Sequence, residues 1–267
     1  MSVHRALLVL VSLGVGGRAC ASVLYACSSQ ASRGGIYTVD PGTGVASLIG
    51  ASGFTNLTDL ASDTRAQSFR LWACDGATNQ LLRINPQSGA GTAVGSLNIS
   101  GGIQTLAFDE SSGFLYGTSV AFDRLYRINP DTAAATLVTA VGVTVYSPIA
   151  SLGFDAGGTL YGTQIGGTGG WLARINTGNG EEFGVGIAPG QLGDIACRPE
   201  DGVMFAADGL SGGLYRLNVN SAGTTLVGPL GAGIGYLQGL AFGPVPAPGS
   251  ALPMLALLAG ARRRRHV

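Results

Sequence analysis

Ile103-Gln104-Thr105-Leu106-Ala107-Phe108-Asp109, then Leu115-Tyr116-Gly117-Thr118, then Leu125-Tyr126-Arg127-Ile128-Asn129-Pro130, then Thr136-Leu137-Val138 follow one another with only short polar breaks. Each run is short, apolar or alternating, and rich in aromatic and β-branched side chains, which is how strands read. Between them stand Asp, Asn, Pro and Gly. Asx side chains bond the next backbone groups, and Gly permits positive φ, so these are turns. Four strands in this order make one antiparallel unit.

The unit recurs on both sides. The first run returns as Leu57 to Asp63, Ile149 to Asp155, Leu192 to Cys197 and Leu237 to Gly243, with starts 46, 46, 43 and 45 residues apart. The second returns at Leu24-Tyr25-Ala26, Leu71-Trp72-Ala73, Leu160 to Thr163 and Met204 to Ala207. The third returns at Ile36 to Pro41, Leu81 to Pro86, Leu172 to Asn176 and Leu214 to Asn218, the fourth at Ala46 to Gly50, Thr92 to Gly95, Phe183 to Val185 and Thr225 to Gly228. Four short strands per repeat of about 45 residues is the signature of a propeller blade. No segment has a convincing 3.6-residue period, so almost no helix is expected. The first copy lacks an inner strand and the last strand, Leu237 to Gly243, is spare. Pairing the two predicts an all-β propeller of five four-stranded blades closed by the C-terminal strand, with no sheet edge left at the seam. An open array or a β-sandwich are the alternatives. The repeats resemble the NHL and YVTN type of propeller, in which an Ala-Phe-Asp-like inner strand precedes a Leu-Tyr-like strand.

The ends read differently. Arg5, an apolar run from Ala6 to Val15, and Ala19-Cys20-Ala21 are the parts of a secretory signal peptide over 1–21, cleaved after Ala21. The apolar run is shorter than the ~20 residues a membrane span needs. Residues 22–244 are expected to be the propeller. At 245–267, Val245, Pro246 and Pro248 precede an apolar stretch closed by Arg262, Arg263, Arg264 and Arg265. This tail resembles the PEP-CTERM sorting signal, with Ala247 where that family typically has Glu. The resemblance implies processing by an exosortase-type enzyme, transient membrane contact through the tail, and a cell-surface or extracellular destination. A plain C-terminal membrane anchor is the alternative.

Composition excludes several chemistries. All fifteen basic residues are arginine, and six of them lie in the two signals. The stretch between keeps nine against fifteen carboxylates, a net charge of −6 that disfavours a nucleic-acid partner. The only histidines are His4 and His266. A Ser-His-Asp or Cys-His catalytic arrangement is therefore excluded from residues 22–244, as are His-based zinc sites. No calcium-loop or phosphate-loop motif is present, and no cofactor is expected. Cys27, Cys74 and Cys197 have no C-x-x-C spacing. Cys27 and Cys74 occupy matching points of two repeats, either as small buried hydrophobes or as a disulfide.

Residues repeated in every blade read as structural, including Arg83, Arg127, Arg174 and Arg216, which would cover apolar surface. Departures from the repeat are better site candidates. Asp59 and Asp194 stand where other copies have Thr105, Ser151 and Gly239, in reach of the central channel. Glu181 and Glu182, near the glycine-rich stretch Gly166 to Gly170 and Trp171, form a second cluster, with Trp171 able to stack on a sugar face. Two readings follow. One is a non-catalytic surface module that binds polysaccharide or protein. The other is a glycan-acting hydrolase using two of these carboxylates, a chemistry that needs them ~5–10 Å apart.

Overall fold

The computed structural model describes residues 22–28, 34–65, 69–119, 124–140, 149–166, 169–209, 211–231 and 237–244. The expected signal peptide at 1–21 and the expected sorting tail at 245–267, with Val245, Pro246, Pro248, Arg262, Arg263, Arg264 and Arg265, lie outside the described residues.

Every regular element among the described residues is a strand. β1 (Ser22–Ser28), β2 (Gly35–Val39) and β3 (Ala46–Ala51) pair in sequence. The second blade is β4 (Leu57–Asp63), β5 (Arg70–Asp75), β6 (Gln80–Ile84) and β7 (Gly91–Ser96). The third is β8 (Ala107–Phe108), β9 (Leu115–Ser119), β10 (Arg124–Ile128) and β11 (Ala135–Ala140). The fourth is β12 (Ile149–Phe154), β13 (Leu160–Gly166), β14 (Gly169–Ile175) and β15 (Glu182–Ala188). The fifth is β16 (Leu192–Cys197), β17 (Met204–Asp208), β18 (Gly213–Leu217) and β19 (Thr224–Pro229). β20 (Gly239–Pro244) then returns to blade 1 and pairs antiparallel with β1, from Ser22↔Pro244 to Cys27↔Gly239. The chain is a five-bladed β-propeller, closed as the spare strand predicts.

The apolar cores lie between blades, one at each of the five interfaces. Blades 5 and 1 share Phe205, Leu214, Leu24 and Phe242. Blades 1 and 2 share Tyr25, Ile36, Leu60 and Leu82. The other three interfaces are built the same way. The repeated motif residues explain the packing. Phe of one inner strand meets the aromatic residue of the preceding blade's second strand: Phe108 on Trp72 at 5.2 Å, Phe154 on Tyr116 at 5.8 Å, Phe242 on Phe205 at 5.4 Å. Such ring pairs contribute about 0.5–1.5 kcal/mol beyond the area they bury. The repeated arginines pair across the strand with these same rings, Trp72↔Arg83 and Tyr116↔Arg127 among them. Arg83 lies 5.3 Å over Trp72.

The outer turns follow from Asx chemistry. Asp40, Asn85, Asn129, Asn176 and Asn218 each accept a main-chain N–H two residues on. Each turn ends on a residue at positive φ, which is Gly in three blades but Ala133 (60°) and Ala222 (58°) in the other two.

One strand is shorter than the repeat predicts. The inner pattern of blade 3 begins at Ile103, yet only Ala107 and Phe108 are in the ladder. The Thr118 amide donates to Thr105 Oγ1 (3.0 Å), so a side chain takes a main-chain donor that a longer ladder would use. The glycine-rich stretch Gly166 to Gly170 is partly strand, with Gly166 paired to Gly169.

Candidate functional site

Register irregularities aim side chains at the axis. The inner strand slips against its neighbour between Leu57 and Asp59, between Ile149 and Ser151, and between Leu192 and Asp194. A bulge bends its strand and redirects the next side chain. The residues just past the slip are Asp59, Ser151 and Asp194. With Thr105 and Gly239 at the matching points of blades 3 and 1, they make one layer around the axis.

Inner-strand edges leave N–H groups without ladder partners, and buried ones must be satisfied. This layer satisfies them. Asp59 Oδ1 accepts from Leu60 N and Oδ2 from Leu106 N, both at 2.6 Å, joining blades 2 and 3. Asp194 accepts from Leu240 N through Oδ2, joining blades 5 and 1. Thr163 Oγ1 donates to Leu192 O (2.9 Å), joining blades 4 and 5. Ser151 therefore donates to Thr163 Oγ1 across their 2.6 Å contact.

Asp59 and Asp194 flank Gly239. A Cβ there would stand 2.4 Å from Leu60 N and 2.7 Å from the Asp59 carbonyl carbon. The absence of a side chain lets blade 1's inner strand sit against blade 2, and the two carboxyl groups come within hydrogen-bonding reach of each other. Both residues are only 1% exposed. Burial pushes both carboxyls well above the usual carboxylate range, and for Asp59 the Asp194 charge adds to it. Neither takes part in an ion pair with the arginines of the described residues. No donor from another group reaches Asp194 Oδ1. A proton shared between the two carboxyls would supply the missing donor and remove one of two adjacent charges. Cys27 and Cys74 are free thiols next to this pair. The Cys27 thiol is pushed up by its burial and then by the Asp59 and Asp194 charges.

One residue along each inner strand, the chemistry changes. Leu60, Leu106, Leu152, Ile195 and Leu240 line the inner part of a cavity of about 320 Å³. Asp59 and Asp194 do not line it. Phe108, Phe154 and Phe242 are in its wall, and Asp109, Glu110 and Asp155 line its outer part with no basic residue among the lining side chains. Burial opposes ionisation of Asp109, but donors from Ser112 and Ser111 outweigh it and hold the carboxyl below its ordinary value. The half-buried Cys197 thiol also lines the cavity, and burial pushes its pKa to about 11. Such a thiol is unreactive at neutral pH. Just beyond, Asp63 binds Arg65 (3.1 Å) and Arg70 (2.9 Å). The sequence reading did not single this cavity out, although Phe at one position of three inner strands was a visible signal.

Trp171, Glu181 and Glu182 are in the outer hairpin of blade 4 and line no part of the cavity. Trp171 pairs with Gln164 and Ile187, whereas Glu182 pairs with Ile175. Glu182 Oε2 accepts from Gln164 Nε2 (2.8 Å). Glu181 is exposed in the turn and takes a 3.3 Å hydrogen bond from Asn179. Among the described residues, no group of three or more His, Cys, Asp or Glu is placed to hold a metal ion.

No family model and no curated protein matches this chain. Solved structures do. A chain of the nidogen/laminin complex is similar at a TM-score of 0.59 and 11% identity, over 83% of this chain and 98% of that one. A Bacteroides thetaiotaomicron protein of unknown function is similar at 0.54 and 18%, over 70% and 54%. A gluconolactonase from Xanthomonas campestris is similar at 0.51 and 14%, over 82% and 79%. At these identities the likeness is one of fold.

Proposed function

We propose that this is an exported surface or extracellular-matrix protein whose propeller is a non-catalytic binding module for polysaccharide or protein. The observation that supports a module over a hydrolase is the placement of Asp59 and Asp194. They stand on inner strands, yet neither lines the cavity, and both Asp59 oxygens and Asp194 Oδ2 are engaged by main-chain donors. A glycosidic bond in the cavity would meet Leu60, Leu106 and Ile195 before it met either acid. Glycoside hydrolysis needs both carboxyls in contact with the reacting bond and its water. The nearby folds include a chain from a protein complex and a lactonase, so fold alone favours neither class. The export part of the reading rests on the signal peptide and on the PEP-CTERM-like tail, for which an exosortase-type enzyme is the processing partner.

The test mixes the propeller, residues 22–244, with extracellular polysaccharide from the producing organism and follows binding and reducing ends together. Saturable binding without new reducing ends is expected. New reducing ends that disappear in Asp59→Asn or Asp194→Asn would replace this reading with the hydrolase.

A further inference from the structure

Blade 1 is the one blade whose inner and second strands come from opposite ends of the chain, and a contact at its edge has its own chemistry. The Ser22 main-chain nitrogen donates to Glu200 Oε1 at 2.5 Å, and Ser22 Oγ donates to Glu200 Oε2 at 2.8 Å. Ser22 opens β1, while Glu200 is in the turn between β16 and β17 of blade 5. The contact therefore spans the interface at which the ring closes. Among the described residues Glu200 makes no ion pair with an arginine: Arg198, in the same turn, feels the Glu200 charge but is engaged by Asp201 through Nε (2.9 Å) and Nη2 (2.6 Å). On the other side of β1, the residues opposite are Pro244 and Gly243, which carry no charge.

We propose that Ser22 is the first residue of the exported protein and that its α-ammonium is the cationic partner of Glu200. The inference rests on the signal-peptide reading, which puts cleavage after Ala21. A main-chain amide offers one hydrogen to a carboxylate. An α-ammonium offers three and a full charge, so cleavage turns a neutral hydrogen bond into an ion pair across the closing interface. The sequence makes this amine unusual. Since all fifteen basic residues are arginine, the chain has no lysine. No other primary amine occurs in residues 22–267, and Glu200 holds the one at Ser22. An α-amine in an unfolded chain titrates at about 7.7–8.0. Pairing raises that value, so the pair's contribution is complete below it and is lost as pH rises through the raised one.

The full gene product is exported, purified and sequenced from its N-terminus, and its acylation by an amine-reactive ester is timed as a function of pH. A first residue of Ser22 is expected. Near pH 7.5 the wild type is expected to acylate about threefold more slowly than Glu200→Gln, as suits an exposed ion pair. The two rates should converge above about pH 9.5, where both amines are deprotonated, and in denaturant. A first residue other than Ser22 overturns the cleavage reading and the proposal with it. Ser22 at the terminus with equal rates in both chains overturns the ion pair alone.

Discussion

The two sides of the propeller axis solve one problem with different chemistry. In blades 3 and 4 the layer is hydroxyl on hydroxyl, Thr105 with Thr118 and Ser151 with Thr163, each pair at 2.6 Å. Around blade 1 the same register positions hold Asp59, Asp194 and Gly239. Neutral hydroxyls both donate and accept, so each pair closes on itself or hands a hydrogen to the next blade. Ionised carboxylates only accept. They fit where N–H groups converge, and they can meet each other only by keeping a proton. Position in the repeat thus fixes the task of satisfying inner-strand groups, and residue type decides whether doing so involves charge.

The largest effect is expected at Gly239, on which the carboxylate side depends. Gly239→Val puts a branched side chain where even a Cβ would overlap Leu60 and Asp59. A loss above about 3 kcal/mol in urea unfolding is expected, as for severe overpacking. Unchanged stability would mean that the inner strand of blade 1 does not seal the ring. Next, Asp59→Ala leaves the Leu60 and Leu106 amides without acceptors, each costing about 1–3 kcal/mol. The hydroxyl side should respond less. Thr118→Val removes one member of a neutral pair and is expected to cost about 1 kcal/mol. An equal loss for Asp59→Ala and Thr118→Val would erase the distinction between the two sides.

A pH series sharpens it further. Burial raises the Asp59 and Asp194 values. The folded protein thus holds protons that the unfolded chain has released above about pH 4. The stability this gives is complete below the unfolded value and is lost as pH rises through the folded one. Asp194→Asn removes that titration and supplies a permanent donor to Asp59. The variant's stability relative to wild type is therefore expected to increase from pH 4 to pH 8. Asp63, Asp109 and Asp201, whose values are lowered, have the opposite sign but are common to both chains. A flat difference would show that the pair carries no shared proton. The smallest effect is expected far from the axis: Ala133→Gly relieves a positive φ but gives up a buried methyl, so a change within about 0.5 kcal/mol is expected.

The blades, their strand order and the closing strand were all legible, because each repeat copy carries its own strand and turn signals and because a missing inner strand at the start and a spare one at the end have one solution. The axis was legible only as positions. Asp59, Asp194 and Gly239 could be aligned as equivalents, but their meeting depends on backbone approach between strands from different blades, which a linear pattern does not contain. The bulges that redirect both aspartates are likewise invisible, since an extra residue in one strand has meaning only against its partner. Trp171 and Glu182, close in sequence, stand at different rungs of the blade 4 hairpin and share Gln164, which pairs with Trp171 in register and donates to Glu182. The cavity-wall phenylalanines read in sequence as repeat consensus, and they are that too, since each also packs on an aromatic ring of the preceding blade.

The meeting of β1 and β20 has a mechanical side. Ser22 and Pro244 form the outermost of six register pairs, so both chain ends emerge at the same end of one antiparallel ladder, the end at which the cavity opens. Tension applied between those ends would peel the ladder from Ser22↔Pro244 inward, breaking pairs in succession. It would not load all six in shear. The strand that completes the ring is also the one that would yield first under such a pull. A tether at the C-terminal end alone, with the N-terminal end free, would spare this zipper from opposed tension.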